Sequence, residues 1–216
     1  MNQMKSLDPP HKGLRNALGK LALAAGKTDY TSVSSVAILK KLAEEVFHLL
    51  KDHTKTENKF ILAPLEKRKP GISESYISDH HEIDELEQNL FDRFVSLKGA
   101  QTNDLGHQLY LDFCQFQSLY LNHINEEDLV LEQEMQRHFT EDELIQHQIE
   151  IMKEMNFETL LLWFKYIVPA RRPEENAQVL SGFKSAVPDT AYTTVLNTIK
   201  EEISESEMQL ILSLVK

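Results

Sequence analysis

Between Val46 and Phe60 the chain reads VFHLLKDHTKTENKF, an apolar helical stripe with two polar residues set inside it. A helix turns about 100° per residue, so His53 and Glu57, four apart, project from one face. Leu42, Val46, Leu49 and Phe60 lie within roughly 40° of His53 on the same geometry. Such a stripe has to be buried, and an imidazole and a carboxylate buried with it need partners, because unpaired buried polar groups are costly. Any fold of this chain must therefore supply hydrogen-bonding neighbours to that face, or a metal ion.

Composition narrows the class. The chain has 216 residues, 41% hydrophobic and 26% charged, the profile of a soluble globular protein of one domain with or without an extension. A net charge of -11 argues against a nucleic-acid or anionic-membrane partner. The single cysteine, Cys114, forms no intramolecular disulfide and disfavours an exported, disulfide-built fold. The first residues, MNQMKSLDPP, lack the apolar core of a signal peptide, and no run approaches the ~18 apolar residues of a membrane span. These features point to the cytoplasm. Seven glycines, seven prolines and scarce alternation favour long helices.

The punctuation predicts four of them, then a tail of shorter ones. Asp8 reads as an N-cap with proline in the first turn of a helix over about 9–25, with Gly26 after its end. Ser32 and Ser34 are cap candidates for a second helix reaching about Lys69, kinked near Pro64. Pro70-Gly71 is a turn, and Ser73 can cap a third helix to about Lys98. A fourth, over about 105–137, carries Leu109, Phe113, Phe116, Leu119, Tyr120, Val130 and Leu131 on one side. Thr140 with Glu143, and Ser204 with Glu207, are capping-box signatures. Between them lie an apolar helix ended by Pro169, with Trp163 and Phe164 as ordinary core, and helices after Pro173 and Pro188. The fold class read from this pattern is all-α: an up-down four-helix bundle over 1–168, including one or two packing helices after 140, and a helical extension over 169–216.

One internal echo carries chemistry. His11 is followed 42 positions later by His53-x-x-x-Glu57, and His80 is followed 43 positions later by His123-x-x-x-Glu127. Phe116, Leu119, Tyr120, Glu127 and Val130 lie within roughly 60° of His123, so this pair points inward as well. On the third helix Ile83, Leu86, Leu90 and Phe94 set the apolar face. His80 lies roughly 70° from its centre, whereas His81, which pairs with Glu85, lies roughly 170° away and faces solvent. Four inward histidines and two inward glutamates thus sit on four helices, and a bundle gathers such residues around one interior point. A single buried histidine is usually just a satisfied core residue, but six such groups in a repeated pattern have no other good use in an apolar core. Mixed imidazole and carboxylate ligation suits iron, manganese or zinc. Two carboxylates could bridge two metals, each taking two histidines and keeping open positions. Glu45-x-x-His48 matches half of the E-x-x-H metal motif of ferritin-like bundles, but His48 lies on the far side from His53.

The segments His11-Lys-Gly-Leu-Arg15, His53-Thr-Lys-Thr-Glu57 with the following Phe-Ile-Leu-Ala-Pro64, Asp79-His80-His81-Glu-Ile83 and His123-Ile-Asn-Glu-Glu127 resemble the hemerythrin-like (HHE cation-binding) family. The resemblance covers about residues 8–168. It implies a four-helix bundle with a non-haem di-iron centre, His11, His53, His80 and His123 as terminal ligands, and Glu57 and Glu127 as bridges. The oxygen-carrying members have H-x-x-x-H on the third helix, where this chain has Asp84. They also use H-x-x-x-x-D on the fourth, a spacing Asp128 fits. Asp128 points roughly 140° from His123, which favours Glu127.

The expected function is a protein with two non-haem iron ions that binds or senses oxygen or nitric oxide, or processes peroxide. The alternatives are a repair protein for iron–sulfur clusters, a group whose members commonly carry a further N-terminal cysteine-bearing domain, and a metal-free helical interaction module using 156–216.

Overall fold

The computed structural model describes residues 5–216, so the reading of the first four residues as free of an apolar leader lies outside it. Among the described residues every regular element is helical, and no helix is long and apolar enough to cross a membrane. Helix α1 spans Asp8–Lys27 and α2 spans Val33–Glu57, followed by a π-helical segment, Asn58–Leu62, and α3, Ala63–Arg68. The second half repeats this plan: α4 is Glu74–Val95, α5 is Asn103–Glu126, a second π-helical segment is Glu127–Leu131, and α6 is Glu132–His138. Then come α7 (Glu141–Glu154), α8 (Phe157–Ile167), a 3-10 turn (Val168–Ala170), α9 (Pro173–Ala186), α10 (Asp189–Lys200) and α11 (Glu205–Leu214).

Short polar side chains start several of these helices. Ser32, Thr102, Asn156 and Ser204 each accept a hydrogen bond from an amide three residues on. Thr140 and Glu143 form the reciprocal box that their spacing predicts. The Ser204–Glu207 spacing gives only the first half of its box, the Glu207 amide donating to Ser204 Oγ, and three further expectations fail for identifiable reasons. Asp8 is already inside α1; the amides of Ser6 and Leu7 before it donate instead to the buried Glu132 carboxylate, at 3.2 and 2.9 Å. Gly26 stays helical, because Thr28 donates its hydroxyl to Ala24 O and the helix runs on to Lys27. Ser73 precedes α4 without capping it, because its hydroxyl is taken by Glu66 at 2.5 Å.

The expected kink at Pro64 is also different in kind. Pro64 fits the first turn of α3, where a missing amide hydrogen costs little, and the break lies just upstream. There the amide of Ala63 donates to Asn58 O, five residues back, and that of Glu132 donates to Glu127 O in the same way. The wider turn absorbs one extra residue and shifts everything after it. Ile61 and Leu131 are therefore buried, while Val130 is 48% exposed and Phe60 is half-buried with Lys59 over its ring.

Helix α1 packs on α2 and α5, α2 packs on α4, and α4 packs on α5, closing a ring of four. Inside it Leu14, Leu49, Phe47, Phe94, Phe113 and Tyr120 belong to one large core. A second core closes the ring past the π-helical segments and includes Leu7, Ile61, Leu65, Leu131 and Met135. Helix α8 lies against α1 and α2. Its Trp163 joins the first core, and its Phe164 joins a third, built with Leu180, Phe183, Val195, Ile199, Met208 and Ile211. The apolar segment around Trp163 is thus core, as its sequence suggests. At the α1–α8 crossing a side chain on Gly13 would come within 2.8 Å of Ile167, so glycine is what lets the two helices meet there.

Candidate metal centre

The level between the first two cores holds the six residues singled out by the sequence. His11, His53, Glu57, His80, His123 and Glu127 are all nine-tenths or more buried. Ligand atoms of His11, His53, Glu57 and Glu127 lie within 4.8 Å of one another, and so do those of His80, His123 and Glu127. Glu127 belongs to both groups. Its oxygens are 2.9 Å from His123 Nε2, 3.4 Å from His80 Nε2, 3.4 Å from His11 Nε2 and 4.0 Å from His53 Nε2. Glu57 Oε2 is 3.3 Å from His53 Nε2 and 3.5 Å from His80 Nε2, so the two carboxylates flank the same imidazoles.

The two halves mirror one another. His11 meets His53 edge-on, with ring centroids 5.0 Å apart, and His80 meets His123 in the same way at 4.9 Å. Each lone histidine is then held by the opposite half. Asp128 Oδ1 accepts from His11 Nδ1 at 2.7 Å, and Asn58 Oδ1 accepts from His80 Nδ1 at 2.8 Å. A carboxylate and an amide oxygen only accept, so these Nδ1 atoms carry protons and the Nε2 atoms are the ones turned to the centre. Arg15 fixes Asp128 in turn, at 2.8 Å.

Several atoms facing the centre lack a hydrogen bond: Nε2 of His11, His53 and His123, both oxygens of Glu57, and Glu127 Oε2. His123 Nε2 is near Glu127 but off the line of a hydrogen bond. One orphaned buried acceptor costs about 1–3 kcal/mol, and so many around one point is the arrangement a cation resolves. The donor set of imidazole nitrogen and carboxylate oxygen suits a transition metal. Electrostatics agree. Burial would lower His80, yet Glu127 and Glu57 push it up to about 9. Burial opposes ionisation of Glu127, yet His123, His53 and His80 hold it well below the usual carboxylate range.

The geometry also separates the near misses. His81 and Glu85 are exposed. Asp128 stands behind His11 rather than in the cluster. Glu45 and His48 secure α8: Glu45 accepts from Lys165 and from the Tyr166 hydroxyl, and His48 pairs with Thr159. Sequence reasoning placed Leu86 on the inner face of the third helix, but Leu86 is 46% exposed and Glu87 is buried in its stead. Burial, helped by the charge of Asp84, pushes Glu87 up to about 8. The supporting roles of Asn58 and Asp128 were missed as well. The signal was available: in both halves the residue after the buried glutamate is one that can accept a hydrogen bond, as H-x-x-x-E-[ND].

Comparison with curated proteins and with solved structures gave no match. Comparison with protein families gave one: residues 3–135, more than half of the chain, match the hemerythrin HHE cation binding domain. That stretch contains all six clustered residues, both π-helical segments and both histidine-holding acceptors, and the chain belongs to the hemerythrin HHE cation-binding family.

Proposed function

We propose that the cluster holds two non-haem iron ions, with His11, His53, His80 and His123 as terminal ligands and Glu57 and Glu127 as bridges, and that the protein binds or senses oxygen or nitric oxide, or processes peroxide. The carrying observation is Glu127, a buried carboxylate shared by two groups of potential ligands. The reading takes the ring of α1, α2, α4 and α5 as an up-down bundle over 1–168, with 169–216 as its extension and the cytoplasm as its location. Bound iron would supply a redox centre with a position for a small ligand. The chain's own part is to aim and to exclude. Asp128 and Asn58 set the direction of two imidazoles. Leu49, Phe116 and Tyr120 keep water from the inner side. Phe60, expected among them, is turned outward by the π-helical segment, and Ile61 takes the inward place.

The test is metal analysis with an optical spectrum before and after azide, on protein made under iron-replete, anaerobic conditions. Two iron ions per chain and an azide-dependent band are expected. Protein without iron, or His53→Ala and Glu127→Ala variants with unchanged metal content and stability, would leave the metal-free interaction module standing instead.

A further inference from the structure

A cavity of about 240 Å³ lies between α1–α2 and the later helices α7, α8 and α9. His53 and Glu57 form part of its wall, so it reaches the proposed metal centre, whose Glu57 oxygens are unpartnered. Most of the wall is carbon, including Met155 and the ring of Trp163, whose Nε1 is satisfied by Asp52 at 2.8 Å. Three polar groups in the same wall lack a hydrogen bond: Arg171 Nε, Asn176 Oδ1 and Ser6 Oγ. Asn176 is 1% exposed; its Nδ2 donates to Val168 O and Arg171 O, leaving the oxygen idle. The Arg171 side chain is 11% exposed. Its nearest acid, Glu175, is 3.7 Å from Nε, while the same carboxylate is held at 2.7 Å by Arg172 and lies 3.6 Å from Lys12. The Nε edge of the guanidinium is therefore buried without a hydrogen bond, facing a carboxylate that two other cations share, with Asp8 adding a more distant negative charge.

We propose that this cavity binds a small organic acid with an apolar body, its carboxylate on Arg171, its body against Trp163 and Met155, and its far end beside His53 and Glu57. A buried guanidinium edge without a hydrogen bond selects an anion, and carbon walls select the rest of the molecule. A dry cavity of ~150 Å³ accommodates a benzene, so this one has space for about ten non-hydrogen atoms, the size of octanoate. The inference rests on the metal-centre reading only for what the far end of the acid meets.

Trp163 is the sole tryptophan, so its fluorescence reports occupancy directly. Octanoate is titrated into metal-free and iron-loaded protein, beside octanol, which lacks the charge, and acetate, which lacks the body. Octanoate is expected to give a saturable change in both forms, with octanol and acetate weaker by about tenfold or more. Arg171→Gln should weaken octanoate about tenfold and leave octanol unchanged, the loss of one charge-assisted contact. Val179, a 42% exposed residue of the wall, offers a second variant: Val179→Phe should weaken octanoate and octanol together. If Arg171→Gln fails to fold, Val179→Phe and the octanol comparison decide. No saturable change in either form, octanol binding as well as octanoate, or Val179→Phe binding octanoate unchanged overturns the proposal. Octanoate binding by protein that takes up no iron supports this site and removes the metal reading; iron uptake without octanoate binding does the reverse.

Discussion

Asp128 and Glu87 show how much depends on single side chains that are not themselves in the cluster. Asp128 holds the proton of His11 Nδ1 in place and is itself gripped by Arg15. Removing it leaves His11 present but free to turn. Asp128→Ala should lower metal affinity by about ten- to a hundredfold, as read by competition with a chelator, with the fold intact by circular dichroism. An unchanged affinity would mean that packing alone orients the ring. Glu87 acts on stability. Its folded pKa of about 8 lies above its ordinary value, so its contribution is complete below about pH 4.5 and is lost as pH rises through 8. Glu87→Gln should therefore unfold at higher urea than the parent at about pH 8.5, by on the order of 3 kcal/mol, and at nearly the same urea at about pH 4.5. A gain equal at both pH values would show that the charge is not the cause. No periodicity argument finds Glu87, because Leu86 beside it is the better apolar candidate and the choice between them is made by the packing of α4 against α2 and α5.

Helix by helix, the elements rich in local signal were legible and the ones set by distant contacts were not. His53/Glu57 and His123/Glu127 were readable because a spacing of four is a statement about one turn of helix. The Thr140–Glu143 box was readable for the same reason. The π-helical segments were not. They turn Val130 outward while Leu131 stays buried, and they directly follow or begin at the two clustered glutamates, at Asn58–Leu62 and Glu127–Leu131, where no spacing rule within one helix announces them. The start of α1 failed similarly, because the amides that lead into it are held by Glu132, more than a hundred residues away. That carboxylate is 4% exposed and accepts from two backbone amides and the side-chain amide of Gln136. Glu132→Ala should cost about 2–4 kcal/mol in urea unfolding and speed hydrogen exchange at Ser6 and Leu7. A midpoint within error of the parent would show that water replaces the carboxylate without loss.

At the scale of the whole molecule α8 is the shared wall: Trp163 faces the bundle core and Phe164 faces the C-terminal one. A chain ending at residue 168 keeps all six clustered residues but uncovers Phe164 and Val168. It should hold metal as the parent does yet melt lower by roughly 10 °C, the effect of about 3 kcal/mol of lost apolar burial at this size, and it should lose the proposed octanoate response together with Arg171. An unchanged melting temperature would mean that the third core lends the bundle nothing. The contact between Leu7 and Glu132 has a different consequence. It joins points four and three residues inside the two ends of the family-matched stretch, residues 3–135. A domain whose entry and exit touch can be cut open elsewhere and resealed there by a short linker. The loop at 99–102, between α4 and α5, is the natural place for new termini, and a circular permutant of the 5–138 stretch opened there would keep α1, α2, α4 and α5 whole.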